Sequence, residues 1–347
     1  MKSSLIKKPH WRSSMSVLLC TSLFLSLFSG CGKADTAEPI TKTGVYFDTV
    51  ISITLYGTDM DDKFQGCFDL ASKYENYFSN TLPDSDISKI NANIGTPVSV
   101  HDETIDLLHK GLAYGNLSNG SFDITIGELS DLWDFSNNTG TIPADTDIST
   151  ALSTIDYHNV VINGNEVTLL APSTTIDLGG IAKGYIADKM KAYLNEQGIT
   201  SGIINLGGNV LTVGPKDNND TYNIAIQKPF SEDGSPIASV EITDQSVVTS
   251  GTYQRYFKKD GIIYHHILDV TTGYPYENDL CSVTIINDSS VDGDGLSTTC
   301  FTYGLEKGMD YIESLDNTEA IFITNEGKIY YTSGIGTKIP FHDLSQE

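Results

Sequence analysis

Apolar and polar residues alternate along Gly44–Gly57, with Ile51, Ile53 and Leu55 on one face and Ser52, Thr54 and Tyr56 on the other, which predicts a strand. The period then lengthens. Met60–Ser79 carries Phe64, Phe68, Leu70 and Tyr74 at helical spacing, and Thr104–Leu117 places Ile105, Leu108 and Leu112 on one helical face. Between them Asp84–Asn91, just after Pro83, predicts a short helix. Residues 136–150 read as a polar loop, and 159–170 as a hairpin around Asn163-Gly164. A further helix follows Gly179-Gly180, with Ile186, Met190, Tyr193 and Leu194 on its apolar face and Gly198 placed to stop it. A strand over Gly202–Leu206 then breaks at Gly207-Gly208-Asn209. Strands are expected at Tyr222–Ile226, Ala238–Ile242 and Ser282–Ile286, and Ser246–Phe257 with Ile262–Pro275 resembles a hairpin. Leu296–Leu305 predicts a helix, and Glu319–Thr324 with Lys328–Thr332 a last hairpin around Glu326-Gly327. Helices and strands intermix without regular βαβ alternation, so the expected fold class is α+β.

The first thirty residues stand outside that pattern. Lys2, Lys7, Lys8 and Arg12 precede a mostly apolar run, Met15–Phe28, that is too short to span a bilayer comfortably and reads as an export signal. It ends Ser29-Gly30-Cys31, similar to a bacterial lipobox, in which Cys31 is lipidated and becomes the new N-terminus. An ordinary secretory signal cut nearby gives the same compartment without the lipid. The expected organisation is a lipoprotein signal peptide over 1–30, a flexible tether over 31–43 and one domain over 44–340. The expected location is the outer face of the cell membrane, or the periplasmic side, by lipid anchor.

Charge narrows the partners. The 347 residues include 21 Lys and Arg against 45 Asp and Glu; without the four basic residues of the signal, 17 remain against 45, a net charge of −28. Such a surface argues against nucleic acid and against a face that binds anionic lipid. Besides Cys20 and Cys31 the cysteines are Cys67, Cys281 and Cys300, which cannot all pair and have no zinc-type spacing. Burial as apolar side chains is their simplest reading.

Three clusters could carry chemistry. In the first, Asp177 precedes Gly179-Gly180 and Lys183 falls in the first turn of the following helix. Glycines let backbone N–H groups approach a ligand, a helix N-terminus favours anions, and Lys183 adds a cation, a combination suited to phosphate. A strand–turn–helix with glycines used only for turning fits the same residues. The second cluster is Gly251–Arg255 with Tyr264–Asp269 and Thr271-Thr272-Gly273; His265 and His266 point to opposite faces of a strand and cannot easily share a metal. In the third, Asp292-Gly-Asp294-Gly-Leu-Ser-Thr298, a carboxylate and a hydroxyl four residues apart would make part of a water-completed Mg2+ site. A helix N-cap at Asp294 is the alternative from local sequence, and an EF-hand loop fits poorly because Thr299 stands at its twelfth position. The P-loop, the dinucleotide fingerprint and the G-x-S-x-G elbow are missing.

Taken in order, Ser85–Asn91, Gly120–Gly127 with Leu132-Trp133, Asp177–Gly184, Asn205–Gly208, Thr249–Gly251, His266–Asp269 with Thr272-Gly273, and Asp294–Thr298 resemble the ApbE family, the exported FAD:protein FMN transferases. The resemblance runs from Phe47 to about Tyr331 and implies a single ApbE-like, T-fold-related domain. It implies that FAD is the substrate, that Mg2+ bridges its pyrophosphate, and that a client threonine attacks the FMN-side phosphorus while AMP leaves. Carried over by motif, the metal ligands are Asp294, Thr298 and the Gly180 carbonyl. Asp177, Lys183, Phe47, Ser121, Phe122, Asp123, Ser250 and His266 are the FAD contacts, and Asp294, Lys183 and His266 the catalytic residues. Clients are expected to be quinone-reductase or electron-transport subunits with a D-x-x-x-A-T-like motif, which this chain shows no obvious copy of. Phe47 stands where the family often has Met, and Thr81 where an aromatic is common. An FAD pyrophosphatase and a non-catalytic flavin-binding lipoprotein are the competing readings.

Overall fold

The structure is a computed structural model, and it describes residues 38–137 and 140–345. Cys31, the expected signal over 1–30 and tether residues 31–37 lie outside those residues. The spine is an eight-stranded sheet whose spatial order follows the chain: β1 (Pro39–Tyr46), β2 (Thr49–Tyr56), β3 (Gly202–Leu206), β4 (Asn209–Val213), β5 (Ser246–Gly251), β6 (Leu280–Asn287), β7 (Glu319–Thr324) and β8 (Ile329–Tyr331). Every neighbouring pair is antiparallel.

Two expected boundaries move. Pro39–Thr43, assigned to the tether, belong to β1, which pairs with β2 from Pro39↔Tyr56 to Tyr46↔Thr49. As an edge strand β1 is mostly exposed and buried at no position, so it lacks the apolar face that marks β2. At the other end Phe341–Asp343 pairs with Pro236–Ile242, past the expected limit at 340.

Helices α1 (Asp61–Phe78), α2 (Asp86–Ala92), α3 (Asp102–Leu117), α4 (Gly127–Trp133), α5 (Asp145–Leu152), α6 (Ala182–Glu196), α7 (Ser290–Tyr303) and α8 (Leu305–Glu313) complete the α+β architecture. On one face of the sheet Ile51, Ile53, Ile204, Leu211, Val283 and Ile285 join the core made by the helices. On the other, Val247, Ile286, Ile321 and Ile323 pack against a three-stranded sheet of Tyr222–Gln227, Pro236–Ile242 and Phe341–Asp343. Covered on both sides, β6 is buried at every position. Cys67, Cys281 and Cys300 are free and buried, as read from the sequence.

Local corrections follow from packing. The polar loop expected over 136–150 contains α5, whose Ile148 and Ala151 join a satellite core with Trp133, Phe257 and Leu268. The pair expected at Ser246–Phe257 and Ile262–Pro275 divides: β5 enters the main sheet, and only Tyr256–Lys259 and Ile262–His265 form a hairpin. Gly207-Gly208 is a tight turn, and Asn209 already begins β4.

Where caps form, they follow sequence logic. The Ser85 hydroxyl accepts from the Ser88 N–H at 3.0 Å and opens α2. Ser85→Ala is expected to destabilise the domain by about 1 kcal/mol, read as a melting shift of about 2–4 °C. An unchanged melting temperature would show that water replaces the cap.

Candidate active site

The site is built where α6 and α7 pack against each other over the central strands β3–β6. Helix α7 begins at Ser290, earlier than the expected Leu296, and its cap is Ser289. Asp294 therefore lies inside the helix, which removes both the N-cap reading of Asp294 and the EF-hand reading. The start of α7 is pinned by Asp188 of α6, whose carboxylate accepts from the Ser290 and Val291 N–H groups at 2.9 and 3.0 Å. Close passage of the helices requires Gly184, where a Cβ would lie 2.2 Å from the Ser290 carbonyl oxygen.

Asp294 is 5% exposed. Its Oδ2 accepts from the Gly184 backbone N–H at 2.6 Å, and its Oδ1 from Asn209 Nδ2 at 3.1 Å. As the third residue of α6, Gly184 has no intrahelical acceptor for that N–H, and Asp294 supplies one. Asn209 is held in turn by Ser290 Oγ, which donates to its Oδ1 at 2.7 Å. Burial raises the Asp294 pKa, while Lys183, the Gly184 N–H and Asn209 oppose that shift. One turn later Thr298 Oγ1 lies 3.0 Å from Ser250 Oγ. Thr302 Oγ1, a further turn along, lies 3.1 Å from Ser121 Oγ. Asp294, Thr298, Ser250 and Ser121 thus line up along α7.

The remaining expected residues divide. Asp177 Oδ1 accepts from the Gly179 N–H at 2.7 Å and shapes the Gly179-Gly180 turn, and the Lys183 ammonium reaches the Gly179 carbonyl at 3.5 Å. The Phe122 ring lies over that turn, 3.1 Å from where a Gly180 Cβ would stand. Asp123 does not turn towards the turn. Its carboxylate accepts from the N–H and hydroxyl of Thr125 and from the Tyr157 N–H, and so braces its own loop. Phe47 occupies the β1–β2 turn with φ of 53°, its N–H donating to Glu75 Oε1 at 2.6 Å. Next to it, Asp48 joins Phe135, Arg255 and Phe257 around an open cleft of about 680 Å³, whose lining includes none of the expected FAD contacts.

The two histidines separate, as opposite strand faces require. His265 is buried and its Nε2 lies 3.2 Å from the Tyr276 carbonyl oxygen, while His266 Nδ1 lies 3.3 Å from that of Arg255. Its half-buried setting, then the nearby Arg255 and Lys183 charges, hold the His266 pKa below the ordinary imidazole value. A neutral imidazole of that kind is a hydrogen-bond partner and a feeble base.

Burial likewise lowers the His265 pKa to about 4. The unfolded chain, with an ordinary pKa of about 6.5, takes up a proton there that the folded chain refuses. Stability is thus full above about pH 6.5 and falls as pH drops towards 4. Between pH 7 and 5 the wild type is expected to lose about 2 kcal/mol relative to His265→Leu. Urea midpoints at the two pH values measure it, and parallel slopes would show that His265 is not the group.

Sequence reasoning missed Asn209 and Gly184. Both lay inside or beside recognised glycine motifs, but their roles appear only when α7 is placed against them. Among the described residues no three His, Cys, Asp or Glu side chains converge as a metal cluster. The donors at this site are instead one carboxylate with hydroxyl and carbonyl oxygens.

The ApbE family model matches residues 47–322. This chain belongs to the ApbE family. An FAD:protein FMN transferase of Klebsiella pneumoniae is 36% identical over 294 residues, covering 84% of this chain and 91% of the relative. One from Treponema pallidum is 29% identical and covers 98% of this chain and 97% of its own. The flavin transferase ApbE of Vibrio cholerae superposes with a TM-score of 0.77 at 28% identity, over 86% of this chain and 98% of that structure. The apo flavinyl transferase ApbE of Pseudomonas stutzeri gives 0.76 at 27% identity, over 87% and 96%. The α+β fold read from the sequence is thus the fold of solved ApbE flavin transferases.

Proposed function

We propose that this ApbE-family chain transfers the FMN moiety of FAD to a threonine hydroxyl of exported or membrane-bound redox proteins, releasing AMP. The observation that carries the reading is the buried Asp294 carboxylate, oriented by Gly184 and Asn209 one turn from Thr298, in a chain whose relatives are FAD:protein FMN transferases. Transfer forms a threonine O–P bond, breaks the P–O bond to the AMP phosphate, and releases the hydroxyl proton.

The donor set fits Mg2+. Carboxylate, hydroxyl and carbonyl oxygens are hard ligands, and burial raises the Asp294 pKa, a cost to its ionised form that a bound cation would offset. Asp294, Thr298 and the Gly180 carbonyl would hold the ion. When bound it neutralises charge on the pyrophosphate oxygens. Lys183, beside the glycine turn, supplies a second positive charge to the phosphates. Asp177 fixes the turn through Gly179, and the Phe122 ring walls it. Ser121, Ser250, His266 and Phe47 complete the proposed FAD contacts, with His266 acting as a neutral hydrogen-bond partner. Asp123 contributes by bracing the loop. Lipidation at Cys31 would hold the domain on the outer face of the membrane, where it would meet the exported or membrane-bound clients proposed here.

The test combines full-length chain in mild detergent, FAD, Mg2+ and an acceptor peptide containing D-x-x-x-A-T, followed by intact mass and by AMP release. A Mg2+-dependent mass gain of one FMN less water is expected. AMP with free FMN and an unmodified peptide, across several acceptor peptides, would mean a pyrophosphatase, and bound FAD without products a flavin-binding protein.

A further inference from the structure

Three hydroxyls and one carbonyl run in single file beside α7. Thr298 Oγ1 lies 3.0 Å from Ser250 Oγ, Ser250 Oγ lies 2.8 Å from Ser297 Oγ, and Ser297 Oγ lies 3.0 Å from the Asp294 carbonyl oxygen. Each hydroxyl has one proton to give, whereas the carbonyl oxygen can only accept. The terminal carbonyl therefore sets the direction of the whole file. Ser297 donates to it and, its proton committed, can only accept from Ser250. Ser250 in turn can only accept from Thr298. The Thr298 proton is thereby turned towards Ser250, and its oxygen offers lone pairs to the rest of the site. Ser297 is fully buried, so water does not compete for its proton. The opposite direction would set two acceptor oxygens face to face at 3.0 Å.

We infer that Ser297, acting through Ser250, is a positioning residue that fixes the polarity of the Thr298 hydroxyl and makes its oxygen a ligand for a divalent cation. The inference rests on the cation site proposed above, and neither serine has to touch the ion. Without the Ser297 hydroxyl, Ser250 is free to donate to Thr298 Oγ1. The Thr298 proton then loses its acceptor and points where the cation binds.

The test uses Mn2+ as the probe, read by electron paramagnetic resonance of the free ion, with full-length chain in detergent and FAD present. FAD affinity in EDTA is measured alongside. Ser297→Ala is expected to weaken Mn2+ binding about tenfold, a loss of the size that one disrupted charge-assisted contact produces, with FAD affinity in EDTA unchanged. Thr298→Val should lose at least as much. The double variant should bind no worse than Thr298→Val alone, because Ser297 works only through that oxygen. Losses that add, or Ser297→Ala binding within about twofold of wild type, would overturn the inference. Should Ser297→Ala fail to fold, Ser297→Cys keeps the volume with a poor donor and is expected to show the same loss. Wild-type binding that survives Asp294→Ala would overturn the cation site itself. Binding lost in Asp294→Ala but normal in Ser297→Ala would overturn only the hydroxyl relay.

Discussion

Asp294→Ala is expected to abolish FMN transfer, with a fall in kcat of about a thousandfold or more, the scale of losing a preorganised electrostatic group at a phosphoryl centre. The carboxylate is almost fully enclosed, so its charge is neither diluted by water nor replaceable by it. Both of its oxygens are already oriented, one by the Gly184 N–H and one by Asn209. Asp294→Asn keeps the volume but removes the charge and sets an NH2 donor against either the Gly184 N–H or Asn209 Nδ2, and it should fall nearly as far. Wild-type chain and both variants are compared by the mass gain of an acceptor peptide at saturating Mg2+ and FAD. Melting temperatures near the wild-type value would assign the loss to chemistry. Substantial Mg2+-dependent transfer by either variant would remove Asp294 from the metal site.

How far the sequence reached depends on what each residue's role rests upon. Helix α6 was legible because its apolar period, its Gly179-Gly180 entry and its Gly198 exit are all local. The first six residues of α7 were not. Ser290–Tyr303 contains Gly293, Gly295 and several Ser and Thr residues, and it is buried on nearly every side, so no amphipathic stripe announces it. Its helical state is imposed by α6 and the sheet. The motifs placed Asp294, Thr298, Ser250 and Ser121 near one another, and the structure strings them along α7. Asp123 sits in the motif yet spends its oxygens on Thr125 and Tyr157, a destination that spacing cannot reveal. Ser297 and Ser250 are 47 residues apart, and their contact exists only because β5 runs beside α7. The strand expected over Gly44–Gly57 is two, β1 and β2, divided by the turn at Phe47-Asp48, and Pro39–Thr43 escaped because an exposed edge carries no strong apolar face.

Gly184→Ala is expected to damage fold and site together. The glycine is there for space: an added Cβ would stand 2.2 Å from the Ser290 carbonyl oxygen, 2.5 Å from its carbon and 2.6 Å from Val291 Cα. These are backbone atoms, and no side chain can swing aside. Nor can α7 slide freely, since Asp188 holds the Ser290 and Val291 N–H groups. Overpacking of this severity destabilises by about 3 kcal/mol, read as a melting temperature lower by roughly 6–12 °C. Any outward shift of α7 also lengthens the 2.6 Å contact between the Gly184 N–H and Asp294, so transfer should be lost even in the folded fraction. Gly198→Ala is the comparison. It meets no neighbouring atom but needs a left-handed φ of 76°, and backbone strain alone is worth about 1 kcal/mol there. If Gly184→Ala melts no lower than Gly198→Ala and still transfers FMN, α6 and α7 have room to part, and the Gly184 contact is not what positions Asp294.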